Sequence, residues 1–345
     1  MRRKNNRPTL SEVAARAGVG TTTVSRVING GDRVDPTTFA RVNKVIKALG
    51  YTPNQAARIL KGHRTRAIGF LVPSIADPFF SSCAEAAQAT ARSNESLLIV
   101  MTTQNNLSME IESVNVLMSH QADGLIVAPS DSNSVDLRRA LSRAAVPVVA
   151  LDRPLCGSRM PSVLSDNFAG AEMATRHLIE HGYRRIACLT GETNLYTIRE
   201  RMRGYRGTVE AAGLPVILDT SISDYVSAET GIRSLLARRQ PPDAIFTLKN
   251  STTMFTFEAL QKLRVPIPES IALLGYDDFE LADAVRPSIT VIQQPVADLG
   301  RIAAELLFRE LGGDHEYKPT TRQQLIQLET RLVRRASCGC SPTTT

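Results

Sequence analysis

Between positions 9 and 29, apolar residues recur at three- and four-residue steps in two short runs split by Gly18 and Gly20. Leu10, Val13, Ala14 and Ala17 form one stripe, and Val24, Val27 and Ile28 form another. The pattern predicts two amphipathic helices packed across a tight turn. Thr21, Thr22, Ser25, Arg26 and Asn29 are left outward on the second helix. A third stripe, Val42, Ile46 and Leu49, begins after Asp35-Pro36, where the aspartate can cap and the proline suits the first turn, and it stops at Gly50.

From Ala67 the pattern changes. Continuous apolar runs at 67–72, 97–100, 124–128 and 147–151, then at 185–190, 243–248 and 270–276, predict buried parallel strands. Stretches of helical spacing lie between or beside them, at 80–93, 108–121, 199–212, 228–238 and 252–263. Two βαβ series of similar size predict two doubly wound α/β lobes.

Two helices joined by a glycine-bearing turn make a helix-turn-helix, whose second helix is narrow enough for the DNA major groove. Its outward hydroxyls can bond base edges or phosphates, and an arginine fork can bond guanine bidentately. An ordinary helical hairpin with a polar solvated face is the bland alternative. Charge shifts the balance: residues 1–66 hold 14 Lys and Arg against 3 Asp and Glu (+11), and the rest 27 against 31 (−4). Arg2, Arg3, Lys4 and Arg7 precede the hairpin, so this end attracts a polyanion, unless it is a solvated tail. No apolar segment follows the basic cluster as in a secretory signal, and no apolar run approaches about 20 residues, so no membrane span is expected.

Residues 51–65 permit one short helix, too short to hold alone. It is a basic linker, or a minor-groove wedge in which Ile59-Leu60 is flanked by Arg58 and Lys61. Cys83, Cys156, Cys188, Cys338 and Cys340 are odd in number and scattered, which argues for a reducing compartment. Cys338-Gly339-Cys340 would bind a metal only with ligands from elsewhere. With the five histidines dispersed, no metal and no cofactor are expected, and residues 337–345 are expected to be a disordered tail.

Ligands of open parallel sheets sit beyond the carboxyl ends of the strands. Those ends carry Asp77-Pro78-Phe79-Phe80, Asp152-Arg153, Asn250, Asp277-Asp278 and Gln293-Gln294. Acceptors, donors and aromatic faces together suit a polyhydroxylated ligand, whereas phosphate would call for a Gly-rich loop and more cations.

The motifs TLSEVAARAGVGTTTVSRVING, YTPNQAARILKG, IGFLVPSIADPFF, LDRP, RMRGY, LGYDD and ITVIQQP, in this order, resemble the LacI/GalR family of bacterial transcription regulators over nearly the whole chain. The resemblance implies a three-helix DNA-binding bundle at 1–50, a hinge at 51–65 and a two-lobed, periplasmic-binding-protein-like effector domain at 66–336. The lobes would comprise 66–165 with 294–322, and 166–293 with 323–336. It implies a cytoplasmic homodimeric regulator, a repressor by expectation, on an approximately palindromic operator. Thr21, Thr22 and Arg26 match base-reading positions, and Ser25 and Asn29 lie nearer the phosphates. Leu60 matches the leucine that wedges a central minor-groove step, with Ala57 and Lys61 beside it. Gly20 stands where the family has serine.

For the effector, matching positions are Asp77, Phe79, Phe80, Asp152, Arg153, Arg201, Asn250, Asp277 and Gln294. The set is similar to that of pentose-binding relatives, which implies a monosaccharide or polyol; purine and nucleoside effectors also occur in the family. Tyr225 lies one place from an expected aromatic, Ser251 replaces a usual aspartate, and Thr256 a common glycine. No leucine heptads follow Val333, so a tetramer-forming helix is not expected. A sugar-processing enzyme using Asp277 and Asp278 and a transport receptor are the rivals. Adjacent carboxylates in a turn diverge, no nucleophile elbow or P-loop is present, and a receptor needs no basic helix-turn-helix.

Overall fold

The computed structural model describes residues 8–28, 30, 34–52, 64–312 and 324–340. The chain divides into two units, Met1–Thr65 and Arg66–Thr345. Asn29, Ala57, Leu60 and Lys61 lie outside the described residues, as do 53–63 and the basic residues before Pro8.

In the first unit, α1 (Leu10–Ala17), α2 (Thr21–Ile28) and α3 (Pro36–Leu49) enclose a core of Val13, Ala14, Ala17, Val24, Val27 and Val42. Sequence fixes the helix ends. Thr9 accepts from the Glu12 amide while the Glu12 carboxylate accepts from the Thr9 amide, a reciprocal cap at the start of α1. Asp35 accepts from Thr38 N at 3.0 Å to start α3. Gly18 and Gly50 end α1 and α3 at φ 65° and 60°, a left-handed turn that costs glycine little.

The second unit holds two six-stranded sheets. The first contains β1 (Ala67–Val72), β2 (Leu97–Thr102), β3 (Gly124–Val127), β4 (Val148–Leu151), β5 (Ser162–Ser165) and β11 (Leu325–Leu328), in the order β11-β5-β4-β3-β1-β2. The second contains β6 (Ile186–Leu189), β7 (Ile217–Asp219), β8 (Ala244–Thr247), β9 (Ala272–Tyr276), β10 (Thr290–Gln293) and β12 (Arg331–Val333), in the order β12-β10-β9-β8-β6-β7. Every pairing is parallel except β10 with β12. The helices are α4 (Pro78–Ser93), α5 (Leu107–Ser119), α6 (Val135–Ala144), α7 (Asn167–Glu180), α8 (Tyr196–Ala211), α9 (Tyr225–Leu236), α10 (Asn250–Lys262) and α11 (Val296–Leu311). One helix pair in each lobe approaches at a glycine: a Cβ on Gly300 would run into the Cys83 carbonyl, and one on Gly204 into that of Phe168.

Three expectations are corrected. β2 is not a buried strand: it is the sheet's edge, and Leu97 is 67% exposed. Residues 325–328 belong to the first lobe, not the second, because β11 pairs with β5 before the chain crosses back to β12. The tail is ordered through Cys340. Ala336–Cys338 form a 3₁₀ turn in which Ser337 and Cys338 are fully buried, Ser337 N donating to Ser288 O at 2.9 Å and Thr290 N to Ser337 Oγ at 2.9 Å.

Candidate functional site

On α2 the apolar stripe turns Val24 and Val27 into the bundle. The same 3.6-residue period leaves Thr21, Thr22 and Arg26 exposed and Ser25 half-buried on the opposite face. Gly20 sits where a cap belongs: its carbonyl accepts from Thr23 N at 3.0 Å, but it offers no side-chain oxygen to the first turn. With no carboxylate on the helix, the face offers hydroxyls, which donate or accept, and a guanidinium donor, which suit phosphate and base edges.

In the second unit a cavity of about 530 Å³ opens between the two sheets at the carboxyl ends of their strands. The two lobes use one device to build it. Asp152 follows β4 and Asp277 follows β9, at φ 67° and 71°, and each backbone N–H donates at 2.9 Å to the neighbouring strand, to Val163 O and Ile292 O. Left-handed backbone is tolerated by aspartate better than by bulkier residues, and such turns concentrate at ligand sites.

Each aspartate then meets a buried arginine. Arg153 Nε donates to Asp152 Oδ2 at 3.2 Å, and its Nη1 donates to Asn105 Oδ1 at 2.7 Å and Pro129 O at 3.1 Å. Arg201, on α8, donates to Asn167 Oδ1 at 2.8 Å, Leu248 O at 2.7 Å and Asp277 Oδ2 at 3.4 Å. Its guanidinium lies 3.7 Å over the Tyr276 ring. Gln294 Nε2 donates to Asp277 Oδ1, while Gln294 Oε1 is buried without a hydrogen-bond partner among the described residues. Asn250 Nδ2 reaches from α10 across to Asp77 Oδ1 at 3.3 Å, so one hydrogen bond joins the lobes over the cavity. Phe79 and Phe80 meet edge to face, their centroids 4.9 Å apart.

Burial pushes the Asp77 carboxyl above the usual aspartate range, with Asp277 raising it further, although Lys249 pulls the other way. Burial likewise raises Asp152 against the opposing pull of Arg153 and Arg201.

All nine side chains matched to effector positions, from Asp77 to Gln294, line this one cavity. Tyr225 does not: it begins α9 and packs edge-on against Phe255 at 4.5 Å, and Phe279 supplies an aromatic to the cavity wall instead. Asp277 and Asp278 diverge. Asp278 turns to Arg335, whose two nitrogens donate to it at 2.9 and 3.0 Å, and to Gln293. Sequence reasoning missed Asn105, Asn167, Lys249, Glu192 and Phe279. Asn105 and Phe279 lie within a few residues of a strand's carboxyl end, the signal used for the others; Asn167 follows β5, a strand of four residues with no apolar run to announce it.

Residues 65–334 match the family model described as periplasmic binding proteins and sugar binding domain of LacI family, and residues 9–54 the model described as bacterial regulatory proteins, lacI family. The HTH-type transcriptional regulator CelR of Thermobifida fusca is 34% identical over 97% of this chain and 99% of its own. The ribose operon repressor of Escherichia coli (strain K12) is 30% identical over 95% of this chain and 99% of its own. Among solved structures, a transcriptional regulator CelR-cellobiose complex superposes with a TM-score of 0.70 at 32% identity, covering 96% of this chain and 100% of that one.

Proposed function

Because the chain belongs to the LacI family of bacterial regulatory proteins, we propose that its cavity takes a neutral free saccharide, a monosaccharide or related polyol, and that occupancy sets its operator affinity. Membership makes it a DNA-binding transcription regulator and not an enzyme. On DNA, Thr21, Thr22 and Arg26 read bases, Ser25 and Asn29 meet phosphates, and Leu60, with Ala57 and Lys61, wedges the minor groove.

The charge balance of the cavity wall carries the effector reading. Asp77, Asp152, Asp277 and Glu192 face Arg153, Arg201 and Lys249, four carboxylates against three cations. Both arginines are already engaged by aspartates, and Lys249 pairs with Glu192 at 2.9 Å. An anionic ligand would meet repulsion, and a hydrocarbon would strand these groups. Sugar hydroxyls donate to the carboxylates and to Gln294 Oε1 and accept from the guanidinium and amide groups, while Phe79 and Phe80 cover the ring face. The relatives bear on this in name only: one is a ribose operon repressor, and a CelR structure holds cellobiose.

A second copy of this chain is the proposed partner. The edge strand β2 exposes Leu97 and Val100, and the second lobe separately exposes Tyr225, Val226 (75%), Met254 and Leu281, apolar surface that a second copy would cover. A dimer pairs two α2 helices for a palindromic site. No described helix is long and apolar enough to cross a membrane; the cytoplasm, where DNA is reached, is the proposed location.

Calorimetric titration with pentoses, hexoses, disaccharides, sugar phosphates and nucleosides tests the effector. A free sugar binds and changes operator affinity in gel shift; binding by a purine or a sugar phosphate alone overturns the saccharide reading. Effector and operator must change each other's affinity by the same factor.

A further inference from the structure

Outside the cavity, His177, His181, Cys338 and Cys340 come together in the second lobe. His177 lies in the last turn of α7 and His181 caps it, one helical turn on, so both rings fall on one face with centroids 4.2 Å apart. Cys338 ends the 3₁₀ turn, and Gly339 at φ 85° swings the chain so that Cys340 returns to the same side. One ligand atom from each of the four side chains lies within 4.8 Å of the other three.

We propose that His177, His181, Cys338 and Cys340 form a Cys₂His₂ site for a zinc-class divalent cation, which fastens the C-terminal segment to α7. The separations fit. Cys338 Sγ and Cys340 Sγ are 3.4 Å apart, Cys338 Sγ is 3.3 Å from His177 Nε2, and Cys340 Sγ is 3.5 Å from His177 Nε2 and 3.1 Å from His181 Nε2. Tetrahedral zinc, with bonds of about 2.3 Å to sulfur and 2.0–2.1 Å to nitrogen, places such atoms about 3.3 to 3.8 Å apart. These four separations need adjustments of a few tenths of an ångström, and the remaining two, which lie within 4.8 Å, close by up to about 1 Å to complete the tetrahedron.

The surroundings prepare the ligands. His181 Nδ1 lies 2.9 Å from His177 O, and a carbonyl only accepts, so the proton sits on Nδ1 and the Nε2 lone pair is free for a metal. The Thr290 hydroxyl, which donates to Arg335 O at 3.0 Å, lies 3.1 Å from Cys338 Sγ and could turn its proton to a thiolate there from outside the ligand shell. Two sulfurs and two imidazoles select a soft or borderline ion over magnesium or calcium. Binding exchanges two thiol protons for the cation, with no change of oxidation state.

The fastening has a local consequence. Arg335, three residues before Cys338, clamps Asp278, the neighbour of cavity residue Asp277. The site holds the clamp's backbone to the lobe, independently of which effector fills the cavity.

The full-length chain, reduced and stripped of metal, is titrated with Co²⁺ and then Zn²⁺. One Co²⁺ per chain is expected, with the visible bands of tetrahedral thiolate-bound cobalt, bleached by Zn²⁺. Cys340→Ser and His181→Asn, at the less buried half of the site, are expected to weaken Co²⁺ binding by about a hundredfold. Cys156→Ser, an exposed thiol elsewhere, binds as the parent does. Zn²⁺, but not Mg²⁺, raises the melting temperature of the parent chain, a readout that does not depend on a variant folding. Octahedral cobalt bands, parent binding no tighter than Cys340→Ser, equal effects of Zn²⁺ and Mg²⁺, or a Cys338–Cys340 disulfide persisting in the reduced chain would each overturn the site.

Discussion

The helix-turn-helix unit and the two-lobed unit keep the groups proposed for recognition in opposite places. Arg26 stands in solvent on α2, away from the Val13, Val24 and Val42 core. Arg201 is 3% exposed and holds Asn167, Leu248 and Asp277 together beneath the cavity. A solvated group can be exchanged without touching the fold, whereas a buried one cannot, because its partners lose a charged donor that compensates them for leaving water.

The largest effect expected from this contrast is at Arg201. Arg201→Ala leaves the buried Asp277 carboxylate without its cation, with Gln294 its remaining donor, and takes the Asn167 amide oxygen's partner, so a loss of about 3–5 kcal/mol in urea unfolding is expected together with loss of saccharide binding. Wild-type unfolding with binding abolished would put Arg201 on the same footing as Arg26. Arg26→Ala is expected to cost about 1–3 kcal/mol at one base pair of each half-site, with unfolding unchanged within about 0.5 kcal/mol. Equal losses on operator and random DNA in a gel shift would remove it from base reading.

Asp77→Asn sharpens the contrast, because there binding and stability oppose one another. The partly buried carboxylate is disfavoured by desolvation and by Asp277, and asparagine also caps a helix. At pH 7 the ligand-free variant is expected to gain a few tenths to about 1 kcal/mol, while saccharide affinity falls about tenfold or more. The parent's pH dependence follows from the same groups. In the pH range just above the ordinary aspartate value of 3.8, folded Asp77 and Asp152 retain protons that the unfolded chain has released, so ligand-free stability falls as pH rises through that window. Asp77→Asn should flatten that slope in pH-resolved melts; a slope unchanged would relieve Asp77 of the role. The smallest effect is at Gly20. A Cβ there meets open space, so Gly20→Ser supplies the missing cap and is expected to add a few tenths of a kcal/mol, read as slower amide exchange in α2.

The same contrast explains what could be read in advance. The stripe on α2 and the face opposite it are set by neighbours within one turn, so the outward placing of Thr21, Thr22 and Arg26 was legible from spacing, and their roles came from the resemblance. Most of the cavity residues were legible because strand ends in a doubly wound sheet converge, a rule of topology that picks out Asp152 and Asp277, whereas Arg201, inside α8, came only from the resemblance to the LacI/GalR family. Groups that act by holding others escaped it: Asn105 anchors Arg153, and Asn167 anchors Arg201. Tyr225 lies one place from an aromatic that the family resemblance implies for the cavity, and α9 carries it to Phe255 instead.

Sequence by itself determined the local elements, the helix caps, the two βαβ series and the basic first unit, since hydrophobic period and charge are properties of near neighbours. Only tertiary structure decided which lobe receives Leu325–Leu328, why Leu97 faces out, and that the Cys338 and Cys340 thiols, taken from sequence for a loose tail, meet His177 and His181. Those pairings join segments up to 163 residues apart, and at that separation no periodicity along the chain records which side chains will meet; packing of the sheets does.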